Sequence, residues 1–481
     1  MSASRLLSSA AAFSLSPAHL LRALFRDAES PLRRRAAATR EAPRARPDAA
    51  PSGDPSTDEA APRVVIDLSD VLCHAIWHGA CAGIPRVQLE IASALLRSNP
   101  RAKAFGRRNG VWTDLGPLIR AAKGDADRTF ALLKEQFADV RWSFDGARLL
   151  WRRRRGALRL ERSRQAPEIR PQDCLFVGGA FWIDRDVVKL CQDAADAGAY
   201  LVVLFHDVIP LALPSFTGHD FRREYEDVLS LPAHFVVTTE LNRCELKRAR
   251  RRIDGFGARV ASSVVPLADE FPGAARNAPA GAPSARLADL AGGDFALCVG
   301  TIEIRKNHNA LLNVWEELAQ ERRGAPPTLV VAGRRGWKAD ATLRRLDALE
   351  PGGPIRFVEA PSDEELRWLY AACQFTVFPS LFEGWGLPVG ESFWFGKPCA
   401  ASNSASLEAV ARDLVEPFSP HHEDDMKRAV TRLFDEGARA AARAHVAAAP
   451  LRRWAQFAAD VERVIAERRP PSEPILRPGR G

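Results

Sequence analysis

No apolar run in this chain reaches the ~18 residues that a membrane-spanning helix requires, so no spanning helix is expected. No Cys-x-x-Cys pair occurs among the cysteines at 73, 81, 174, 191, 244, 298, 373 and 399, several of which lie in or beside apolar strand-like runs. That spacing excludes a zinc ribbon and a disulfide framework and points to reduced structural thiols in a cytosolic protein. No Asp-x-Asp metal motif sits at an expected strand end, so an anionic ligand would be met by basic side chains and helix N-termini. No sequence repeat is visible. At the N-terminus, Leu6-Leu7 and residues 10–13 are interrupted by serines, Pro17 and His19, and a single Arg precedes them. A cleaved signal peptide is therefore not expected.

What is present is an ordinary globular composition, 46% hydrophobic and 27% charged over 481 residues, with room for two or three domains. The net charge of +8 is largely local. Arg22, Arg26, Arg33, Arg34, Arg35, Arg40, Arg44 and Arg46 crowd one stretch, and residues 148–164 hold another dense group. Local clusters of this kind suit anionic surfaces or acceptors and not a nucleic-acid-binding body. Arg152–Arg155 has no aromatic platform nearby beyond Trp151, which favours a solvated or membrane-facing strand over a nucleic-acid site.

Residues 1–62 read as a disordered or membrane-proximal extension, rich in Ala, Pro, Asp and Ser beyond residue 41. Within it Leu20, Leu21, Leu24 and Phe25 fall at helical spacing beside Arg22 and Arg26. Such a stripe fits either an amphipathic helix on an anionic membrane or a frayed tail. From Arg63 short buried-type strands alternate with helices, the pattern of a parallel, doubly wound sheet. The strands expected are 64–68, 174–177, 200–205, 235–238 and 264–267, with Ser69-Asp70 ending the first. Residues 101–170 are hard to read, with a helix near 129–137 and a hairpin near Trp151 to Gly156. After an Ala/Pro/Gly-rich linker at 271–294, the same logic repeats with strands near 295–299, 328–333, 355–358, 375–379 and 398–401. The organisation is thus an extension 1–62, a Rossmann-like unit 63–272, a second unit 290–450, a helix 451–468 and a tail 469–481.

Residues 378–398, Phe-Pro-Ser-Leu-Phe-Glu-Gly-Trp-Gly-Leu-Pro-Val-Gly-Glu-Ser-Phe-Trp-Phe-Gly-Lys-Pro, carry the densest chemistry. Glu383 and Glu391 flank a glycine-rich turn that opens a helix, with Pro388 in its first turn and Gly396 as its stop. The helix aims free N–H groups and a partial positive charge at the turn, where Gly384 and Gly386 allow close approach of a ligand. An anion there, with carboxylates to accept hydroxyl hydrogen bonds, suits a sugar nucleotide. The plainer reading makes Glu391 a first-turn acid and Glu383 a solvated loop residue. Residues 295–307, Phe-Ala-Leu-Cys-Val-Gly-Thr-Ile-Glu-Ile-Arg-Lys-Asn, end another strand in a Gly turn and the pair Arg305-Lys306, with Asn307 as a plausible N-cap. At the end of 200–205 stands His206-Asp207; a histidine there is either a satisfied structural residue or part of a cleft. The turn Gly333-Arg334-Arg335-Gly336-Trp337 fits an approach to a base or phosphates and equally a polar turn.

The Glu-x7-Glu segment resembles the signature of the family 4 (group 1) retaining glycosyltransferases, enzymes of the GT-B fold, and the Gly-to-Arg305-Lys306 segment is similar to the one that family uses to hold the donor diphosphate. The resemblance covers residues 63–468 and is strongest over 295–411. It implies two doubly wound α/β domains facing a cleft, with the final helix packing back across the first. By resemblance, Glu391 accepts from the ribose, Glu383 from the donor sugar, and backbone N–H groups around Gly386 and Leu387 face the sugar or phosphates. His206 is then the histidine beside the reacting centre, and Gly83, Ile84 and Arg86 form the loop near acceptor and phosphates. Many relatives have an arginine where this chain has Thr301, so the cationic work would fall on Arg305 and Lys306. The implied function is metal-independent, retaining transfer of a hexose, with mannose as one reading. The donor is a nucleoside-diphosphate sugar, and the acceptor is a glycan or lipid-linked molecule of cell-envelope polysaccharide such as lipopolysaccharide. No cofactor and no nucleic acid are implied. The location is cytoplasmic or peripheral at the inner membrane face. A sugar-nucleotide epimerase and a non-catalytic assembly partner stay open. A glycoside hydrolase would have no use for the basic pair.

Overall fold

In the computed structural model, residues 62–77, 81, 83–137, 160–217, 219–254, 259–321, 326–468, 471, 472 and 474 are described. The basic stripe of the extension, the hairpin near Trp151 and most of the tail lie outside them. Eight strands form the first sheet: β1 (Val64–Asp67), β2 (Lys103–Arg108), β3 (Val111–Asp114), β4 (Arg162–Ser163), β5 (Cys174–Val177), β6 (Tyr200–Phe205), β7 (Ala233–Val237) and β8 (Ser262–Val264). Their spatial order is β4-β3-β2-β1-β5-β6-β7-β8, parallel from β2 to β8. The second sheet contains β9 (Phe295–Val299), β10 (Thr328–Gly333), β11 (Ile355–Glu359), β12 (Phe375–Phe378), β13 (Cys399–Ser402) and β14 (Val415–Phe418), in the order β11-β10-β9-β12-β13-β14 and parallel throughout. Both sheets belong to the unit 61–481.

The central strands are buried along their whole length, as at β6 and β7. Helices cover both faces of a parallel sheet, so such strands read as continuous apolar runs. Where only an edge is built, the pattern differs. β3 and β4 add antiparallel strands to the first sheet, a departure from the all-parallel expectation. Asn109 (φ 50°) and Gly110 (φ 75°) form the tight turn between β2 and β3, and Asn-Gly favours the left-handed backbone such hairpins need. β1 stops at Asp67, and Ser69-Asp70 opens a helix, Ser69–Trp77, instead of ending the strand.

One hydrophobic cluster ties the units together. It joins Val64, Ile66, Leu95 and Leu96 of the first to Phe378, Trp385, Val389 and Phe393 of the second, and takes in Phe457 and Val461 of the last helix, Trp454–Glu467. That helix packs beside Ile84–Ser98, where Ser98 Oγ donates to Glu462 at 2.8 Å. The buried Asp269 fixes the return of the chain, accepting from Arg412 at 2.5 Å and from the Arg452 N–H at 2.7 Å.

Candidate active site

The carboxyl ends of the two sheets meet. After β12 the chain runs through a loop to Gly386, which caps the helix Leu387–Trp394 with φ 98°. A side chain there would be strained, and its Cβ would come within 2.6 Å of Leu407. Two residues earlier, a Cβ on Gly384 would lie 2.6 Å from the carbonyl oxygen of His206, after β6 in the other sheet. Only glycine lets these backbones touch. Asn242 holds the contact: its Nδ2 donates to the carbonyls of His206 and Gly384, both at 2.9 Å. Thr238 Oγ1 also donates to Gly384, at 3.2 Å.

Beside this contact Glu383 is buried between the two cations expected from the sequence. Its Oε2 lies 2.6 Å from Arg305 and its Oε1 2.7 Å from Lys306. Burial alone would raise its pKa, but Arg305 and Lys306 overcome that and hold it at about 2. Arg305 also donates to the Phe382 carbonyl at 2.7 Å and to Glu303 at 2.5 Å. Lys306 stands 4.9 Å above the Phe378 ring. Asn307 is not a side-chain N-cap: it adopts φ 57° and its Nδ2 donates to Pro420. Thr301 sits in the turn between Gly300 and this group.

His206 is 7% exposed, and its Nε2 lies 2.8 Å from the Gly178 carbonyl. Burial pushes its pKa down to about 4, so the ring is neutral at neutral pH. Asp207 next to it is pushed up to about 6 by burial, an effect that Arg305 opposes.

Glu391 lies on the other side of the turn. It is the fifth residue of its helix, beyond the first turn, and is buried. Its Oε2 accepts from the Tyr370 hydroxyl at 2.8 Å, and its Oε1 is 3.8 Å from Arg86. Burial raises its pKa, with Arg86 pulling the other way. Gly83 (φ 63°) and Ile84 start the helix Ile84–Ser98, which carries Arg86 inward and away from solvent. There Arg86 pairs with Asp363 at 2.8 Å, approaches Asp127 at 3.6 Å and packs over Phe271.

The structure therefore brings His206, Arg305, Lys306, Glu383 and Gly386 together at one junction. It joins Gly83, Ile84 and Arg86 to Glu391 at a second, with Leu387 starting the helix between the two glutamates. Asn242, Thr238, Tyr370 and Asp363 were missed in the sequence. Each is an ordinary residue of a first helical turn, a strand end or a helix face, and only contacts across the sheets single them out.

Residues 288–449 match the model of the family described as glycosyl transferases group 1. The O-antigen chain mannosyltransferase B of Escherichia coli is 31% identical over 219 residues, 45% of this chain and 50% of that protein. The serotype-specific mannosyltransferase WbdA of Escherichia coli is 26% identical over 254 residues, 51% of this chain and 31% of that protein. The chain spans half or less of the length of these curated relatives. The sucrose-phosphate synthase from Thermosynechococcus elongatus superposes with a TM-score of 0.54 at 16% identity, covering 85% of this chain and 99% of that one. The fold is GT-B, and the matched residues 288–449 supply its second sheet together with Arg305, Lys306, Glu383 and Glu391.

Proposed function

We propose that the chain is a retaining glycosyltransferase that moves a hexose, with mannose as the first donor sugar to test, from a nucleoside diphosphate to a glycan or lipid-linked acceptor of cell-envelope polysaccharide. The observation that carries this reading is Glu383 clamped between Arg305 and Lys306 beside the Gly386 turn, with the His206 turn of the other sheet against Gly384. The matched mannosyltransferases support mannose and an O-antigen-type acceptor.

A donor diphosphate would compete with Glu383 for the two cations and find the N-terminus of Leu387–Trp394 beside them. Glu383, released from Arg305 and Lys306, becomes free to accept hydrogen bonds from the donor sugar, and Glu391 from the ribose. In the transfer, the bond from the anomeric carbon to the phosphate oxygen breaks and its electron pair leaves with the phosphate. The acceptor hydroxyl forms the new bond on the same face, and its proton passes to that departing phosphate oxygen. Arg305, Lys306 and the helix N-terminus stabilise the charge that builds there. Neutral His206, tied to Gly178, is suited to holding the junction in shape and not to carrying the proton.

The basic pair does the electrostatic work of a cation, so transfer should be unaffected by EDTA; loss with EDTA and recovery with Mn²⁺ or Mg²⁺ would overturn metal independence. The test of the function itself is a thermal-shift panel of GDP, UDP, dTDP and ADP, followed by incubation of the matching sugar nucleotide with lipid-linked glycan. A nucleotide at 100 times its Kd adds about 2.7 kcal/mol to apparent stability. Transfer to the glycan supports the reading. Sugar-nucleotide conversion without an acceptor identifies an epimerase, and binding without turnover identifies an assembly partner.

A further inference from the structure

The proposed donor site has an imbalance of charge. Arg305 and Lys306 bring two positive charges, and Glu383 and Glu303 bring two negative ones in direct contact with them. A nucleoside diphosphate entering this group adds more than one further negative charge, with only a helix N-terminus in addition to meet it.

Another cation stands on the adjoining strand end. A Cβ on Gly333, the last residue of β10, would fall 1.8 Å from the Gly300 carbonyl, so the two turns are in backbone contact. The Ile302 N–H donates to the Arg334 carbonyl at 2.8 Å, and the Gly336 N–H returns a bond to Ile302 at 3.0 Å. Arg334 thus sits alongside the segment 301–306 that delivers Arg305 and Lys306, across from Thr301.

The two arginines of this turn differ. Arg335 is exposed and saturated by Asp347 at 2.5 Å and Glu359 at 2.8 Å. Arg334 is half-buried, and its Nη1 meets the ring nitrogen Nε2 of His74 at 3.3 Å, from the helix Ser69–Trp77 that follows β1. Among the described residues no carboxylate pairs with it. Asp363, whose field reaches Arg334, is engaged by Arg86 at 2.8 Å. A half-buried guanidinium with a histidine nitrogen in place of a counter-ion is a strong site for a phosphate oxygen.

We propose that Arg334 is the third cation of the donor site and binds a phosphoryl group of the nucleoside diphosphate. This rests on the glycosyltransferase reading above. His74 holds the guanidinium in place until the phosphate replaces it.

Calorimetry on the full chain tests this with the nucleoside diphosphate that binds in the panel, its monophosphate and its nucleoside. Arg334→Gln should weaken the diphosphate roughly ten- to a hundredfold, weaken the monophosphate less and leave the nucleoside unchanged. Arg334→Lys should recover part of the loss, because it keeps the charge and loses the fork. His74→Ala should keep diphosphate affinity, since it removes the placeholder and not the cation. If Arg334→Gln binds all three ligands like the parent protein, or if His74→Ala loses diphosphate affinity as fully as Arg334→Gln, the inference fails. Unchanged nucleotide affinity with a raised KM for a phosphorylated acceptor also overturns it, by moving the phosphate to the acceptor. If the parent protein binds none of the four nucleoside diphosphates, the glycosyltransferase reading itself has failed.

Discussion

The two glutamates of the Glu-x7-Glu segment have different surroundings, and their losses should differ accordingly. Glu383→Gln removes the anion that occupies Arg305 and Lys306. Free nucleoside diphosphate should then bind as well as before or more tightly, because the competitor for the cations is gone. Transfer should fall by the ~2.7–4 kcal/mol typical of a lost transition-state contact. Glu391→Gln replaces an acceptor oxygen by a donor beside Tyr370 and Arg86, and should weaken the free nucleotide roughly ten- to a hundredfold. Calorimetry and a transfer assay separate the cases, and two variants with parental binding and turnover would make the pair structural. His206 gives a pH signature. Its folded pKa of about 4 lies below the ordinary 6.5, so the fold favours the neutral ring. The stability this confers is present above pH 6.5 and is lost as pH falls through 6.5 towards 4. At pH 5 the loss is about 2 kcal/mol. Thermal melts at pH 7.5 and pH 5 should therefore show Tm falling more for the parent than for His206→Gln; equal falls would mean that the ring titrates normally.

At the scale of elements, the loop after β12 meets the turn after β6, and the proposed transfer should depend on that contact. Gly384→Ala places a Cβ 2.6 Å from the His206 carbonyl oxygen, a backbone atom with no rotamer to yield. The loop must move away, and Asn242 and Thr238 then lose the Gly384 carbonyl. The groups proposed to hold the nucleotide lie on the second sheet, so diphosphate affinity should change little while transfer falls by more than tenfold, on the order of the cost of misplacing reacting groups by an ångström. Equal losses in both would place the damage in the second sheet instead. This junction also shows where the sequence was legible. The glycine spacing of 384 and 386, the Arg305-Lys306 pair and the apolar strands before them are local signals, and the structure assembles them as neighbours. The edge β2-β3-β4 was missed because short strands open to solvent on one side have no continuous apolar run, although Asn109-Gly110 marked the turn. β14 (Val415–Phe418) is only partly buried and was missed for the same reason. Asn242 and Tyr370 were invisible because their partners lie 142 and 21 residues away, and nothing local distinguishes such a residue.

At the scale of the whole molecule, the return helix closes the first unit onto the second through one shared hydrophobic cluster. Beyond residue 41 the extension is rich in Ala, Pro, Asp and Ser, a composition with little to bury, so residues 1–60 should not be required for folding. The Leu20, Leu21, Leu24 and Phe25 stripe beside Arg22 and Arg26, followed by Arg33, Arg34 and Arg35, combines a modest apolar face with clustered positive charge. Each basic residue near an anionic bilayer adds about 1 kcal/mol, an attraction that fades within a Debye length and weakens with salt. A chain beginning at residue 61 should melt at the parental temperature and bind nucleoside diphosphate with parental affinity. The same chain should float poorly with phosphatidylglycerol vesicles, whereas the parent floats at low salt and detaches at high salt. Neither should float with neutral phosphatidylcholine, because the apolar face alone is short. A shortened chain that cannot fold would show that the extension belongs to the core; one that floats as well as the parent would move the membrane contact onto the folded body.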